Sequence, residues 1–77
     1  MKVKFNTFEK VGQFIRVTTS MESDVFVKSG KYVVDGKSVM GLYSLDLSKE
    51  LDVEVIEKNE GEIERLKNEL SKLDILS

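Results

Sequence analysis

The sequence predicts an α+β fold, a two-layer open-faced sandwich in which three helices cover one face of a four-stranded sheet. Two observations carry this prediction. Segments that alternate polar and apolar residues, as half-buried strands do, are interleaved with segments whose apolar residues recur at helical spacing. The resulting order is β-α-β-β-α-β-α. Because short strands cannot bury a face alone, the helices are expected to pack on one side of the sheet.

The composition limits the classes of function. The 77 residues suffice for one domain near the lower size limit of a self-supporting core, so we expect a single domain over residues 1–77. The net charge of −2 predicts no general attraction to nucleic acid or to an anionic membrane. The chain has no cysteine and no histidine, and its carboxylates lack the spacing of a metal-binding loop. We therefore expect no metal site and no cofactor.

The amino terminus leads directly into alternating residues and has no long apolar run. We therefore expect neither a signal peptide nor a membrane span, and a cytoplasmic location.

The first strand and the first helix follow from the opening residues. Lys2–Phe5 alternates polar and apolar side chains, which predicts a half-buried strand. Asn6, followed three residues later by Glu9, resembles a helix capping box, so we expect Asn6 to begin the helix. Helical spacing continues to about residue 21. The predicted apolar stripe consists of Phe8, Val11, Phe14, Ile15, Thr18 and Met21.

A hairpin and a short helix are predicted next. Asp24–Lys28 and Lys31–Val34 read as two strands joined by a tight turn at Ser29-Gly30. After a turn at Asp35-Gly36, Ser38 can cap a helix that reaches Leu45.

The short helix carries two apolar faces. At helical spacing, Leu42 and Leu45 project within about 60° of each other, which predicts a face that enters the core. The side chains that cluster on a different side are Val39, Met40 and Tyr43. A short helix rarely needs a second apolar face unless something docks on it.

The last strand and helix complete the order. Leu51–Ile56 alternates, with Leu51, Val53 and Val55 predicted to face inward. Asn59, with Glu62 three residues later, is expected to cap the final helix. The apolar stripe of this helix is Ile63, Leu66, Leu70 and Leu73. The acids of its first turn, Glu60, Glu62 and Glu64, are interpreted as solvated residues that favour the positive end of the helix dipole.

Residues 37–45, Lys-Ser-Val-Met-Gly-Leu-Tyr-Ser-Leu, resemble the regulatory-serine segment of HPr, the histidine-containing phosphocarrier of the bacterial phosphotransferase system. The order of elements also resembles HPr over nearly the whole chain. The resemblance implies an antiparallel sheet with strand order 1-4-2-3. It further implies that Ser38 is phosphorylated by an HPr kinase/phosphorylase. Val39, Met40 and Tyr43 would then dock a transcriptional regulator or a metabolic enzyme. Lys37, beside them, would suit an acidic partner or the phosphate itself.

The chain departs from HPr at the residues that carry its chemistry. In HPr the link between the first strand and the first helix contains His-Ala-Arg-Pro, and the histidine accepts a phosphoryl group from enzyme I. Here the link is roughly Asn6-Thr7-Phe8-Glu9, and the chain contains neither histidine nor proline. The transfer needs a neutral imidazole nitrogen as nucleophile, and Thr7 has no comparable base nearby. We therefore expect an HPr-like protein that is neither a histidine phosphocarrier nor an enzyme.

Two hypotheses of function lead, and a third, an enzyme or phosphocarrier, stays open only through an unexpected residue such as Thr7. In the first, the chain is a regulatory or adaptor protein whose affinity for partners changes when Ser38 is phosphorylated. In the second, Ser38 is only a helix cap, which is the commonest role of serine before a helix. The second apolar face would then serve a homodimer or a fixed complex in a structural module.

Overall fold

The computed structural model describes residues 1–77 and contains four strands and three helices in the predicted order. Their bounds are β1 Lys2–Val3, α1 Phe8–Thr19, β2 Asp24–Ser29, β3 Tyr32–Asp35, α2 Val39–Tyr43, β4 Leu51–Ile56 and α3 Glu62–Lys72. The sheet is antiparallel with strand order β1-β4-β2-β3. Both the fold class and the strand order are therefore confirmed. None of the three helices has the length and the hydrophobicity of a membrane span.

The core contains 14 buried apolar residues in one cluster. Val25 and Val27, which share one face of β2, belong to it, as do Leu66 and Leu70 at the centre of the predicted α3 stripe. Phe5 and Phe14 pack edge to face, with ring centroids 5.1 Å apart. Ile75, which follows α3, is also buried although no periodic pattern indicated it.

The predicted first residues of two helices are wrong by one or two positions. Thr7, and not Asn6, caps α1, because its Oγ1 accepts a hydrogen bond from the N–H of Lys10 at 3.2 Å. Asn6 instead has φ of 65°, a left-handed conformation that asparagine tolerates and that turns the chain from β1 towards α1. Asn59 does not cap α3. Gly61 holds the N-cap position with φ of 89° and makes no side-chain bond.

Glu62 is buried, which contradicts its interpretation as a solvated acid. Its carboxylate accepts hydrogen bonds from the backbone N–H groups of Ser23, at 2.9 Å, and of Glu22, at 3.1 Å, and from the Ser23 hydroxyl. The Ser23 hydroxyl in turn accepts from the N–H of Lys58 at 2.8 Å. The hydroxyl bond, followed by the two backbone bonds, holds the pKa of Glu62 below its ordinary value of 4.5, against the effect of burial. The first residue of α3 therefore ties this helix to the segment between α1 and β2.

The two edges of the sheet differ. At the β1 edge, the end of the chain adds backbone hydrogen bonds, from Ser77 N–H to the Lys2 carbonyl and from Lys4 N–H to the Ile75 carbonyl, both 2.9 Å long. Val3 also forms an isolated bridge with Leu76. The opposite edge is β3, which has a strand neighbour only on its β2 side.

Candidate docking site on helices α1 and α2

Helix α2 is held by a serine cap and by a glycine that allows close packing. Ser38 has an extended backbone, and its Oγ accepts a hydrogen bond from the N–H of Gly41 at 3.1 Å, so the predicted cap is confirmed. A Cβ on Gly41 would lie 3.3 Å from both Ser38 Oγ and Val34 Cβ. Glycine at this position therefore lets α2 approach β3 closely. The predicted inward face is also confirmed, since Leu42 and Leu45 are buried.

The other face of α2 is exposed. Met40 is 79% exposed, Tyr43 45% and Val39 40%. Met40 therefore faces solvent, while Val39 and Tyr43 are partly covered and keep roughly half their surface free. Their role in binding a partner stays a prediction.

Phe8 of α1 joins this exposed face. It is 70% exposed, and its ring meets that of Tyr43 edge to face at 5.1 Å. The prediction that Phe8 belongs to the core stripe is therefore wrong. At about 100° per residue, Phe8 points about 90° away from the mean direction of the buried residues of α1, which are Val11, Phe14 and Thr18. We call Phe8, Val39, Met40 and Tyr43 the α1–α2 apolar surface.

An open groove of about 580 Å³ adjoins the α1–α2 apolar surface. It is lined by Asn6, Thr7, Phe8, Tyr43, Leu45, Asp46, Leu47 and Ser48. The Ser48 hydroxyl donates to Asp46 Oδ1 at 2.6 Å and the Ser48 N–H at 3.1 Å. These bonds hold the pKa of Asp46 below its ordinary value of 3.8, so the groove carries a negative charge at neutral pH. Asp46 was not singled out in the sequence, because an Asx-turn before a strand gives no sign of which groove it borders.

The remaining candidate residues lie near the site but are engaged within the chain. The Lys37 ammonium donates to the Met21 carbonyl at 2.9 Å, and the Lys37 N–H donates to Asp35 Oδ1 at 2.9 Å. Lys37 therefore ties α2 to the end of α1, and its predicted contact with a partner stays a prediction. Thr7 is exposed but its hydroxyl oxygen caps α1. No group of three or more carboxylates in the structure is placed to hold a metal ion.

Comparison with known proteins identifies a family whose pattern the sequence matches. The family described as "PTS HPr component phosphorylation site" matches residues 10–73. The fold is similar to that of HPr-C-His from Thermoanaerobacter tengcongensis, with a TM-score of 0.73 at 19% identity, over 95% of this chain and 86% of that one. At this level of identity the likeness concerns the fold alone.

A second solved structure is more similar in sequence. It is Crh, a catabolite repression protein of Bacillus subtilis, with a TM-score of 0.64 at 28% identity, over 100% of this chain and 90% of that one. The crystal structure of Crh is an intertwined dimer with a swapping domain. A search of curated proteins gives no match.

Proposed function

Because this chain belongs to the HPr family of the phosphotransferase system, we propose that it is a regulatory or adaptor member that binds protein partners through the α1–α2 apolar surface. In this proposal residues 1–77 act as one domain in the bacterial cytoplasm, by binding and not by catalysis. The observation that supports it most is the exposure of Met40 on a helix whose other face is buried. An exposed apolar cluster of this kind is typical of interaction sites.

The proposal includes the loss of histidine phosphocarrier activity. The chain has no histidine, and the first turn of α1 presents Thr7, whose hydroxyl oxygen is used as a helix cap. Incubation with phosphoenolpyruvate and enzyme I should therefore leave the protein without acid-labile phosphate, since no imidazole is present to carry it. An acid-labile label would contradict this part of the proposal, and an HPr that retains its histidine is the positive control.

Phosphorylation of Ser38 is the proposed regulatory step. Ser38 lies at the start of α2, directly before the exposed Val39 and Met40. A phosphate there would place roughly −1.5 to −2 charges beside an apolar surface. A partner that offers arginine side chains would then bind more tightly, and one that offers acids or bare apolar surface would bind more weakly. The enzyme that adds the phosphate would be an HPr kinase/phosphorylase, and the regulated partner a transcriptional regulator or a metabolic enzyme.

Two measurements test this step. An HPr kinase/phosphorylase should add acid-stable phosphate to the wild type and none to Ser38→Ala. Pulldown from the cell lysate should then give different partners for the wild type and for Ser38→Asp. Met40→Ala should weaken the capture of the same partners, whereas Ile56→Ala, which alters an apolar side chain that is 54% exposed on the sheet, should not. Equal capture by all variants would contradict the proposal.

A second candidate function is a structural module without regulation. Two observations favour it: the Ser38 hydroxyl is already used as a cap, and Crh is described as an intertwined dimer. In this alternative the chain forms a homodimer or a fixed complex, and Ser38 is never phosphorylated. Failure of the kinase to modify the protein, together with a constant dimer in sedimentation, would favour it.

A further inference from the structure

Strand β3 leaves backbone hydrogen-bonding groups free along one edge of the sheet. The N–H of Gly36 donates to the Val25 carbonyl at 2.7 Å, and β3 pairs with β2 in continuous register. In an antiparallel pair, residues alternate between those that bond to the neighbouring strand and those that point away from it. Counting back from Gly36, Val34 and Tyr32 bond to β2. The N–H and carbonyl of Val33 therefore point away from the sheet.

Most side chains along this edge are exposed, and its two charged side chains lack an ionic partner, although Asp35 Oδ1 accepts a hydrogen bond from the Lys37 N–H. Tyr32 is 72% exposed and Val33 57%. Lys31 precedes the strand and Asp35 ends it, and neither forms an ion pair within the chain. The other edge of the sheet is covered by the end of the chain at Leu76. Proteins protect an open edge with proline, a bulge, a covering segment, a short strand or charged side chains. Strand β3 has no proline, bulge or covering segment, and its only protection is its short length and the charges of Lys31 and Asp35.

We propose that two copies of this chain pair through β3, antiparallel about a two-fold axis at Val33, and form one continuous sheet. This surface is separate from the α1–α2 apolar surface and does not depend on the function proposed above. In this register Val33 faces Val33 of the second copy. Since their outward N–H and carbonyl groups meet, the two residues exchange two hydrogen bonds.

The same register makes the edge complementary to itself in charge. Lys31 of one copy lies opposite Asp35 of the other, and the two-fold axis repeats this pair. Charges of one sign along an edge would repel a second copy, whereas opposite charges at its two ends attract it. Tyr32 lies opposite Val34 of the second copy, which adds an aromatic–β-branched contact. A register shifted by two residues would lose both ion pairs.

The association is weak and transient, because a strand of four residues buries little surface. The fraction of dimer should therefore rise between micromolar and millimolar protein concentrations. Sedimentation equilibrium measures the association constant. Amide NMR of the same samples should show chemical-shift changes on dilution that centre on residues 31–35. Hydrogen exchange at the Val33 amide should become slower as the fraction of dimer rises.

Val33→Pro is the direct test of the backbone pairing. Proline removes the N–H that points away from the sheet and spares the bonds of β3 to β2, and edge strands tolerate it. Association should fall by roughly ten-fold or more, because two intermolecular hydrogen bonds are lost. Unchanged sheet signals in the NMR spectrum would establish that the variant is folded. Undiminished association of the folded variant would overturn the proposal.

Two charge variants test the register. Lys31→Glu places acids at both ends of the edge, and Asp35→Lys places lysines at both ends, so each alone should associate less than the wild type. An equal mixture should recover association, because every facing pair then joins opposite charges. Failure of the mixture to recover would contradict this register. Association that survives these variants but is lost in Met40→Ala would place the dimer contact on the α1–α2 apolar surface instead.

Discussion

Helices α2 and α3 use their apolar residues in different ways. In α3 the apolar stripe lies on one side, and its central members Leu66 and Leu70 are buried. The five-residue α2 buries Leu42 and leaves Met40 and Tyr43 exposed on its other side. Core packing therefore accounts for the central apolar residues of α3 and, in α2, for Leu42 alone of its four apolar residues. Apolar side chains that a short helix leaves exposed are therefore a better indicator of a binding surface than an apolar stripe that the core buries.

The largest expected effect is the loss of a core leucine from α3. Leu66→Ala should lower the free energy of unfolding by about 2–5 kcal/mol, because Leu66 is fully buried and the substitution leaves a cavity. Met40→Ala in α2 is the matched comparison and should cost less than about 1 kcal/mol, because the side chain faces water. Urea denaturation measures both values. A Met40→Ala penalty equal to that of Leu66→Ala would remove the distinction between the two helices.

The dependence of stability on pH in the acid range should reflect Glu62, the first residue of α3. The pKa of Glu62 is lowered in the folded protein, so its ionised form contributes stability fully above the ordinary pKa of 4.5, and this stability is lost as the pH falls through the folded value. Glu62→Gln should therefore be less stable than the wild type at pH 7, with a gap that narrows below pH 4.5. Denaturant midpoints at several pH values measure it. A gap that stays constant down to the acid transition would contradict the assignment.

The sequence predicted the parts of this fold that follow from periodicity. The order of the elements and the core face of α3 agree with the structure. The strand order, which also agrees, was implied only by the resemblance to HPr. The sequence failed for residues whose role depends on long-range contacts. Glu62 is buried because N–H groups some forty residues earlier in the chain need an acceptor. No local pattern indicates such a partner.

The candidate site was predicted in part for a similar reason. Met40 and Tyr43 follow from their direction on α2, and Ser38 from its position before the helix. Phe8 was missed because a stripe defined only by spacing also accepts a residue at its margin. Its direction, about 90° from the mean direction of Val11, Phe14 and Thr18, already placed it off centre. The meeting of Phe8 with Tyr43 depends on how α1 and α2 pack, which the sequence does not give.

Substitutions at the first turns of α2 and α3 should have a smaller effect on the free energy of unfolding. Ser38→Ala should cost about 1 kcal/mol, within a range of roughly 0.5–2, because the N–H of Gly41 loses its acceptor. Asn59→Ala is the matched change at α3 and should alter stability by less than about 0.5 kcal/mol, since no side chain caps that helix. Thermal unfolding of both variants measures the difference. An equal loss in the two variants would mean that the Ser38 cap contributes no more than a surface position.

The smallest expected effect on stability, and the one that bears most on function, is phosphorylation of Ser38. The phosphate would lie beside the unpaired N–H groups that open α2, which favour an anion, so the stability should stay equal or rise by a few tenths to about 1 kcal/mol. The change would act on the adjoining Val39 and Met40 at the surface and leave the core of α3 unaffected. Amide NMR and thermal melting of the modified and unmodified protein test this expectation. Shifts confined to residues 36–46, with an equal or higher melting temperature, would fit a switch of partner. Widespread shifts or a clear loss of stability would mean that the Ser38 hydroxyl is indispensable as a cap, and α2 would then resemble α3 in serving the fold alone.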